Sequence, residues 1–335
     1  MGREGAPLMA KEAYVGVDLG GTNILVAVVD KKGKILGEAK CKTEAERGAP
    51  GVTERIAETI SAAIKRANMR KKNIAGIGIG VPGPVHPEGG LVVCCANLGP
   101  TWDRYPLQKK LGELVGLRVT VDNDVNVGAL GEYTYGAGRG TKDMLAIFVG
   151  TGIGGGIILD GKLRSGFRNS AGEVGHMVIL ADGPICGCGE KGHAEALASR
   201  TAIERDIRLA LASGQQSIIP RLMEETGHTL MSASIIGDAY DGGDELTREV
   251  VRRAQYYLGI LIAACVNLLD PEAIVVGGGV LERMGEPYLE PVRRVAEQHY
   301  INKLDASKVR IVLAALGDHS GVLGAAVLAR ERFNQ

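Results

Sequence analysis

The chain has 335 residues, 45% of them hydrophobic, with 39 basic and 39 acidic side chains and a formal net charge of zero. That composition fits a globular protein of about two domains and excludes a disordered one. A neutral chain without a long run of Lys or Arg carries no electrostatic footprint for nucleic acid or an anionic membrane, so small-molecule chemistry is expected.

Residues 1–14 lack the apolar core of a signal peptide, and the longest apolar stretch, 258–269, is about half of a membrane span. A cytoplasmic protein is expected. Gly2 suggests myristoylation, but Ala6 stands where that motif requires Ser or Thr, so the leader reads as a loose segment. Residues 14–18 form a short apolar strand, Gly20-Gly21-Thr22 a turn, and 24–29 a second strand ending at Asp30. This is a hairpin with a polar glycine tip. Val52, Ile56, Ile60 and Ile64 keep an i, i+4 apolar stripe, which predicts an amphipathic helix over 51–68 packed on that sheet. A buried strand follows at 74–81. Residues 117–121 read as a strand ending in Asp122-Asn123-Asp124, and 125–135 as a helix. The first pattern then recurs: strand 144–149, tip Gly150-Thr151-Gly152, strand 153–159, turn Asp160-Gly161. Helices over 194–212 and 246–269, a strand at 273–276 running into Gly277-Gly278-Gly279, and a final helix over 321–332 complete the pattern.

Two glycine-tipped hairpins, each in its own sheet, point to an α/β protein with the two-lobed fold of actin, hexokinase and the Hsp70 ATPases, with a cleft between the lobes. A doubly wound nucleotide-binding fold is the competing architecture. The 49 glycines, about twice the usual share of roughly 7%, gather in clusters, which is how a backbone becomes a binding surface.

A triphosphate needs several donors at once, and a tight Gly/Thr turn offers successive N–H groups unobstructed by side chains. Asp18, Gly20, Gly21, Thr22 and Asn23 fit that need, with Asp18 placed to hold Mg²⁺ through water. Gly150, Thr151 and Gly152 fit it again. Neither cluster has the Gly-Lys-Ser/Thr of a P-loop, and neither lies in the strand-to-helix turn of a dinucleotide fingerprint, so NAD is not expected. Gly278 and Gly279 would let backbone pass close to an adenosine, although a plain strand-to-helix turn explains them nearly as well.

Phosphoryl transfer to a sugar hydroxyl requires alignment, charge neutralisation and an acceptor for the proton. Asp124 is the candidate base, with Asn123 offering an amide to a neighbouring hydroxyl. The same residues are also good helix N-caps. Glu173, His176 and Glu195 have the paired hydrogen-bonding capacity that vicinal sugar hydroxyls require. His176, Cys186, Cys188 and His193 supply four ligands for one tetrahedral zinc. A closed site of that kind is structural, and would brace the loop that positions Glu173, His176 and Glu195.

These residues resemble the ROK family of sugar kinases and sugar-responsive repressors over about 14–328, most closely its bacterial ATP-dependent glucokinases. The marks are Asp18-Leu-Gly-Gly-Thr-Asn23, Asn123-Asp124 with Asn126, Gly150-Thr-Gly-Ile-Gly-Gly155, Glu173-x-Gly-His176 and Cys186-x-Cys188-Gly-x-x-Gly-x-x-Glu195. The resemblance implies ATP phosphates at both tips, Asp124 as base, and sugar contacts from Asn97, Asn123, Asp124, Glu173, His176 and Glu195. It implies a small lobe of residues 1–123 with 318–335, a large lobe of 124–317, and a homodimer or homotetramer. The family usually has a third cysteine where this chain has His193, which makes the zinc site neutral in place of singly negative. A repressor would need a DNA-binding domain ahead of the first hairpin, which begins at Tyr14. A sensor would not need Asp124 and two phosphate tips. Glucose leads as substrate over mannose, fructose and N-acetylhexosamines, and polyphosphate stays open as donor.

Overall fold

The computed structural model describes residues 13–86, 89–95, 97–227 and 229–334. The leader with Gly2 and Ala6 lies outside the described residues. The chain divides into two compact units, Met1–Tyr135 with Asp318–Gln335, and Gly136–Gly317.

The first unit contains β1 (Ala13–Leu19), β2 (Asn23–Asp30), β3 (Ile35–Lys42), α1 (Gly48–Arg66), β4 (Ile74–Val81), β5 (Val85–His86), β6 (Leu91–Val92), α2 (Leu107–Val115), β7 (Val119–Asn123) and α3 (Asp124–Tyr135). Its main sheet has the order β3-β2-β1-β4-β7, antiparallel across the hairpin and parallel from β1 through β4 to β7. Alternation decides its two faces. Val15, Val17, Leu19, Ile77 and Ile79 face α1, where Val52, Ile56 and Ile60 are buried against them. On the other face stand Gly16 and Gly78. A Cβ at either position would overlap a backbone carbonyl of the chain's last helix, at Val322 or Ala325. That helix therefore lies directly on the sheet backbone.

The second unit contains β8 (Met144–Val149), β9 (Ile153–Leu159), β10 (Lys162–Leu163), α4 (Glu195–Ala198), α5 (Arg200–Ala212), α6 (Ile219–Thr226), α7 (Ala233–Asp241), α8 (Glu245–Leu269), β11 (Ala273–Gly277), α9 (Gly279–Met284), α10 (Glu286–His299) and β12 (Arg310–Leu313). The chain then re-enters the first unit as α11 (Ser320–Phe333). The second sheet runs β10-β9-β8-β11-β12, again antiparallel through the hairpin and parallel beyond it. The two sheets thus share one topology, strand for strand. The core of the second unit joins Leu145, Ile147, Ile274 and Val276 to Leu258, Leu261 and Ile262 of α8 and to Tyr288 and Val292 of α10.

The two compact units part after Tyr135, with α3 packed on α11: a Cβ at Gly131 would meet Ser320 O, and one at Gly324 would meet Val127 O. Two expectations need correction. The helix expected over 194–212 is two helices, since Ser199 turns to ψ 165° and its side chain caps α5 by accepting from Ala202 N at 3.1 Å. The strand expected at 117–121 begins at Val119 and continues to Asn123.

Candidate active site

In the first unit the parallel strands end together. Asp18 of β1 pairs with Gly80 of β4, and Gly80 with Asp122 of β7. Gly80 has no Cβ, and one there would stand 3.2 Å from Asp124 Cα, so the start of α3 can lie against the strand end. The turn from β7 into α3 is held by side chains. Asn123 Oδ1 accepts from Val125 N at 2.9 Å and from Asn126 N at 3.2 Å, which makes Asn123 the cap. Asp122 Oδ1 accepts from Asn123 N at 2.7 Å and from the buried Asn126 Nδ2 at 2.9 Å. The capping role therefore does not fall on Asp124, whose Oδ1 accepts from Val125 N at 2.9 Å.

Two carboxylates share this corner. Burial pushes Asp124 up to about 7, and the charge of Asp18 adds to the shift, against the lowering effect of its hydrogen bonds. Asp18 is itself raised to about 6, first by burial and then by Asp318. Residue 321 is glycine, and a Cβ there would come within 2.7 Å of the Asp18 carboxyl. Beside them, the turn of Gly20, Gly21 and Thr22 is closed by Gly20 N donating to Asn23 O at 3.0 Å. Asn97 is exposed next to that turn, its Cβ 3.8 Å from where a side chain on Gly21 would begin. Asp18, the first tip, Asn97, Asn123 and Asp124 are thus gathered in one unit.

The second unit gathers the rest. Gly150 N donates to Gly152 O at 2.9 Å to close the second tip. Glu195 reaches that tip, its Oε2 accepting from Ile153 N at 2.9 Å, and its Oε1 accepts from the Cys186 thiol at 3.3 Å. Gly278 has φ 99° and caps the short α9; a Cβ there would strike the backbone of Val149, which leads into the tip. Gly279 follows as the first residue of that helix. Glu173 is exposed at the start of the turn that presents His176.

His176 Nδ1, Cys186 Sγ, Cys188 Sγ and His193 Nδ1 lie within 4.8 Å of one another. The two nitrogens are 3.3 Å apart, Cys188 Sγ is 3.3 Å from His193 Nδ1, and Cys186 Sγ is 3.9 Å from His176 Nδ1. Zinc–nitrogen bonds of about 2.0–2.1 Å and zinc–sulfur bonds of about 2.3 Å imply tetrahedral edges of about 3.3–3.8 Å. These three separations match the edges of a site for a single tetrahedral ion, and none of the others exceeds 4.8 Å. Burial pushes the Cys186 thiol up to about 11, so a bare Cys186 stays protonated, whereas a coordinated one would be a thiolate.

Sequence reasoning missed Asp318 beside Asp18, and it missed Cys95. The Cys95 thiol donates to Pro82 O and is pushed up to about 12 by burial, with the charge of Asp124 adding to it. Neither sits in a motif. Both come from segments remote in sequence, and only the fold brings them to Asp18 and Asp124.

The ROK family model matches residues 14–332. A glucokinase of Halalkalibacterium halodurans is 36% identical over 328 residues, 97% of each chain. A glucokinase of Thermotoga maritima is 35% identical, covering 97% of this chain and 99% of that one. Among solved structures, a ROK family glucokinase from Streptomyces griseus in complex with glucose and AMPPNP matches with a TM-score of 0.80 at 34% identity, over 95% of this chain and 99% of that one.

Proposed function

The chain belongs to the ROK family, and from that membership we propose that it is an ATP-dependent hexose kinase that transfers the γ-phosphate of Mg·ATP to the C6 hydroxyl of glucose. The observation that carries the chemistry is Asp124. It is the first residue of α3, directly after the end of β7, with Asn123 taking the capping role, and burial and the charge of Asp18 raise its carboxyl to about 7, where a general base is most effective.

The residues divide the work. Asn123 and Asp124, with Asn97, Glu173, His176 and Glu195, hold the sugar. Asp124 accepts the C6 proton as the oxygen attacks the γ-phosphorus in line with the departing ADP. Gly20, Gly21, Thr22 and Asn23 at one tip, and Gly150, Thr151 and Gly152 at the other, donate to phosphate oxygens, and Gly278 and Gly279 pass alongside the adenosine. Asp18 would hold Mg²⁺ through water, and the ion would supply charge neutralisation on the phosphates. His176, Cys186, Cys188 and His193 would hold zinc, which would brace the loop that carries Glu173 and Glu195. His176 Nδ1 faces His193 Nδ1 and Cys186 Sγ, which would leave its Nε2 for a sugar hydroxyl.

Asp124→Asn tests the base. Turnover should fall by about two to four orders of magnitude while calorimetry still detects glucose binding. Near-full turnover in that variant would remove Asp124 from the role. For the metal, elemental analysis of freshly purified protein should find one zinc per chain. A folded, active protein without zinc would refute the cluster as a metal site.

A further inference from the structure

A phosphate tip works only if its N–H groups face the ligand, and in a trans peptide the N–H points opposite to the preceding carbonyl. Fixing the carbonyls on one side therefore aims the amides to the other. In the first unit, Thr43 does this: its hydroxyl donates to Gly20 O at 2.7 Å and its N–H to Thr22 O at 2.9 Å. Thr43 is fully buried. In the second unit, the break at Ser199 does it. Arg200 N, an orphan donor at a helix start, reaches Gly150 O at 3.0 Å, and the Thr201 hydroxyl donates to Thr151 O at 2.5 Å. Ser199 Oγ stands 3.0 Å from Thr201 Oγ1 and so orients that hydroxyl.

With Gly20, Gly150 and Thr151 carbonyls turned inward, the amides of Gly21, Thr151 and Gly152 are turned outward. None of the three has a hydrogen-bond partner among the described residues. Gly21 and Thr151 are exposed. Two units with unrelated local sequences thus use the same device, a threonine hydroxyl on a tip carbonyl.

We propose that Thr43 and Thr201 are positioning residues that set the peptide orientation of the two phosphate tips, and so determine affinity for the nucleotide but not for the sugar. This rests on the reading of the tips as phosphate sites. Valine is nearly isosteric with threonine and removes only the hydroxyl, so Thr43→Val and Thr201→Val free the carbonyls without a cavity.

The test is calorimetric binding of Mg·AMPPNP and, separately, of glucose to the full chain. Each Val variant should raise the nucleotide Kd about five- to twentyfold and leave the glucose Kd within about twofold, while Thr201→Ser should bind nucleotide like the wild type. A nucleotide Kd unchanged in Thr201→Val, or an equal loss for both ligands, would overturn the proposal. Buried Thr43 carries a risk of misfolding, and Thr201→Val then decides alone, because it is partly exposed and Ser199 still caps its helix. A wild type that binds glucose but no nucleotide would instead overturn the phosphate reading itself, and this proposal with it.

Discussion

At Asp124 the demands of folding and of the proposed proton transfer oppose each other. Its carboxyl is raised above the ordinary value, so the folded state favours the protonated form. The stability this gives is complete below about pH 4, is lost as pH rises through about 7, and leaves a penalty above it. Asp124→Asn should therefore stabilise the fold at pH 8 by an amount on the order of 4 kcal/mol, read as a higher melting temperature, with the gain vanishing toward pH 4. Thermal melts of both proteins across that range check the sign; a variant less stable at pH 8 would contradict it. In the wild type, kcat/KM should fall below about pH 7 as the base protonates. The placement of Asn123 and Asp124 at the end of an apolar strand was legible in sequence, and so was the clustering of His176, Cys186, Cys188 and His193, through their close spacing. The field around Asp124 was not, since Asp18 and Cys95 reach it only through strand register and loop packing.

At the scale of elements, glycine decides how closely layers approach. Gly16, Gly76, Gly78 and Gly80 alternate with apolar residues in β1 and β4, and Gly78 meets α11 backbone directly. Gly78→Ala should cost about 3 kcal/mol or more by overpacking, read as a drop in the urea midpoint. Gly112 offers the contrast: inside α2, a Cβ there would have only ordinary contacts at 3.6 Å and beyond. Gly112→Ala should stabilise by up to about 1 kcal/mol through helix propensity. If the two variants behave alike, the close approach of α11 is not what fixes Gly78. Periodicity revealed the long hairpins and α8, whose apolar faces are continuous. It hid the end of α4, because Ala196, Leu197 and Ala198 before Ser199 are followed by Ala202 and Ile203, and only the capping side chain interrupts the helix. Short β10 and β12 were missed for lack of enough residues to show alternation.

At the scale of the whole molecule, two sheets of identical strand order, each with a glycine-tipped hairpin, agree with the two-lobed ATPase fold of the ROK glucokinase structures. Among the described residues no helix is long and apolar enough to cross a membrane. The repeated hairpin was visible in sequence because both copies keep the strand, Gly/Thr, strand pattern. The shared strand order was not, because β7 and β12 lie far along the chain from their partners β4 and β11 in different ways, one after an α-helix and a small hairpin, the other after α9 and α10. Hexose phosphorylation by Mg·ATP releases ADP, and that release is measured in the presence of glucose, mannose, fructose, N-acetylglucosamine or N-acetylmannosamine. Strong turnover with glucose, exceeding that with the other four, is the expected result; zinc-replete folded protein that releases no ADP with any of the five would contradict it.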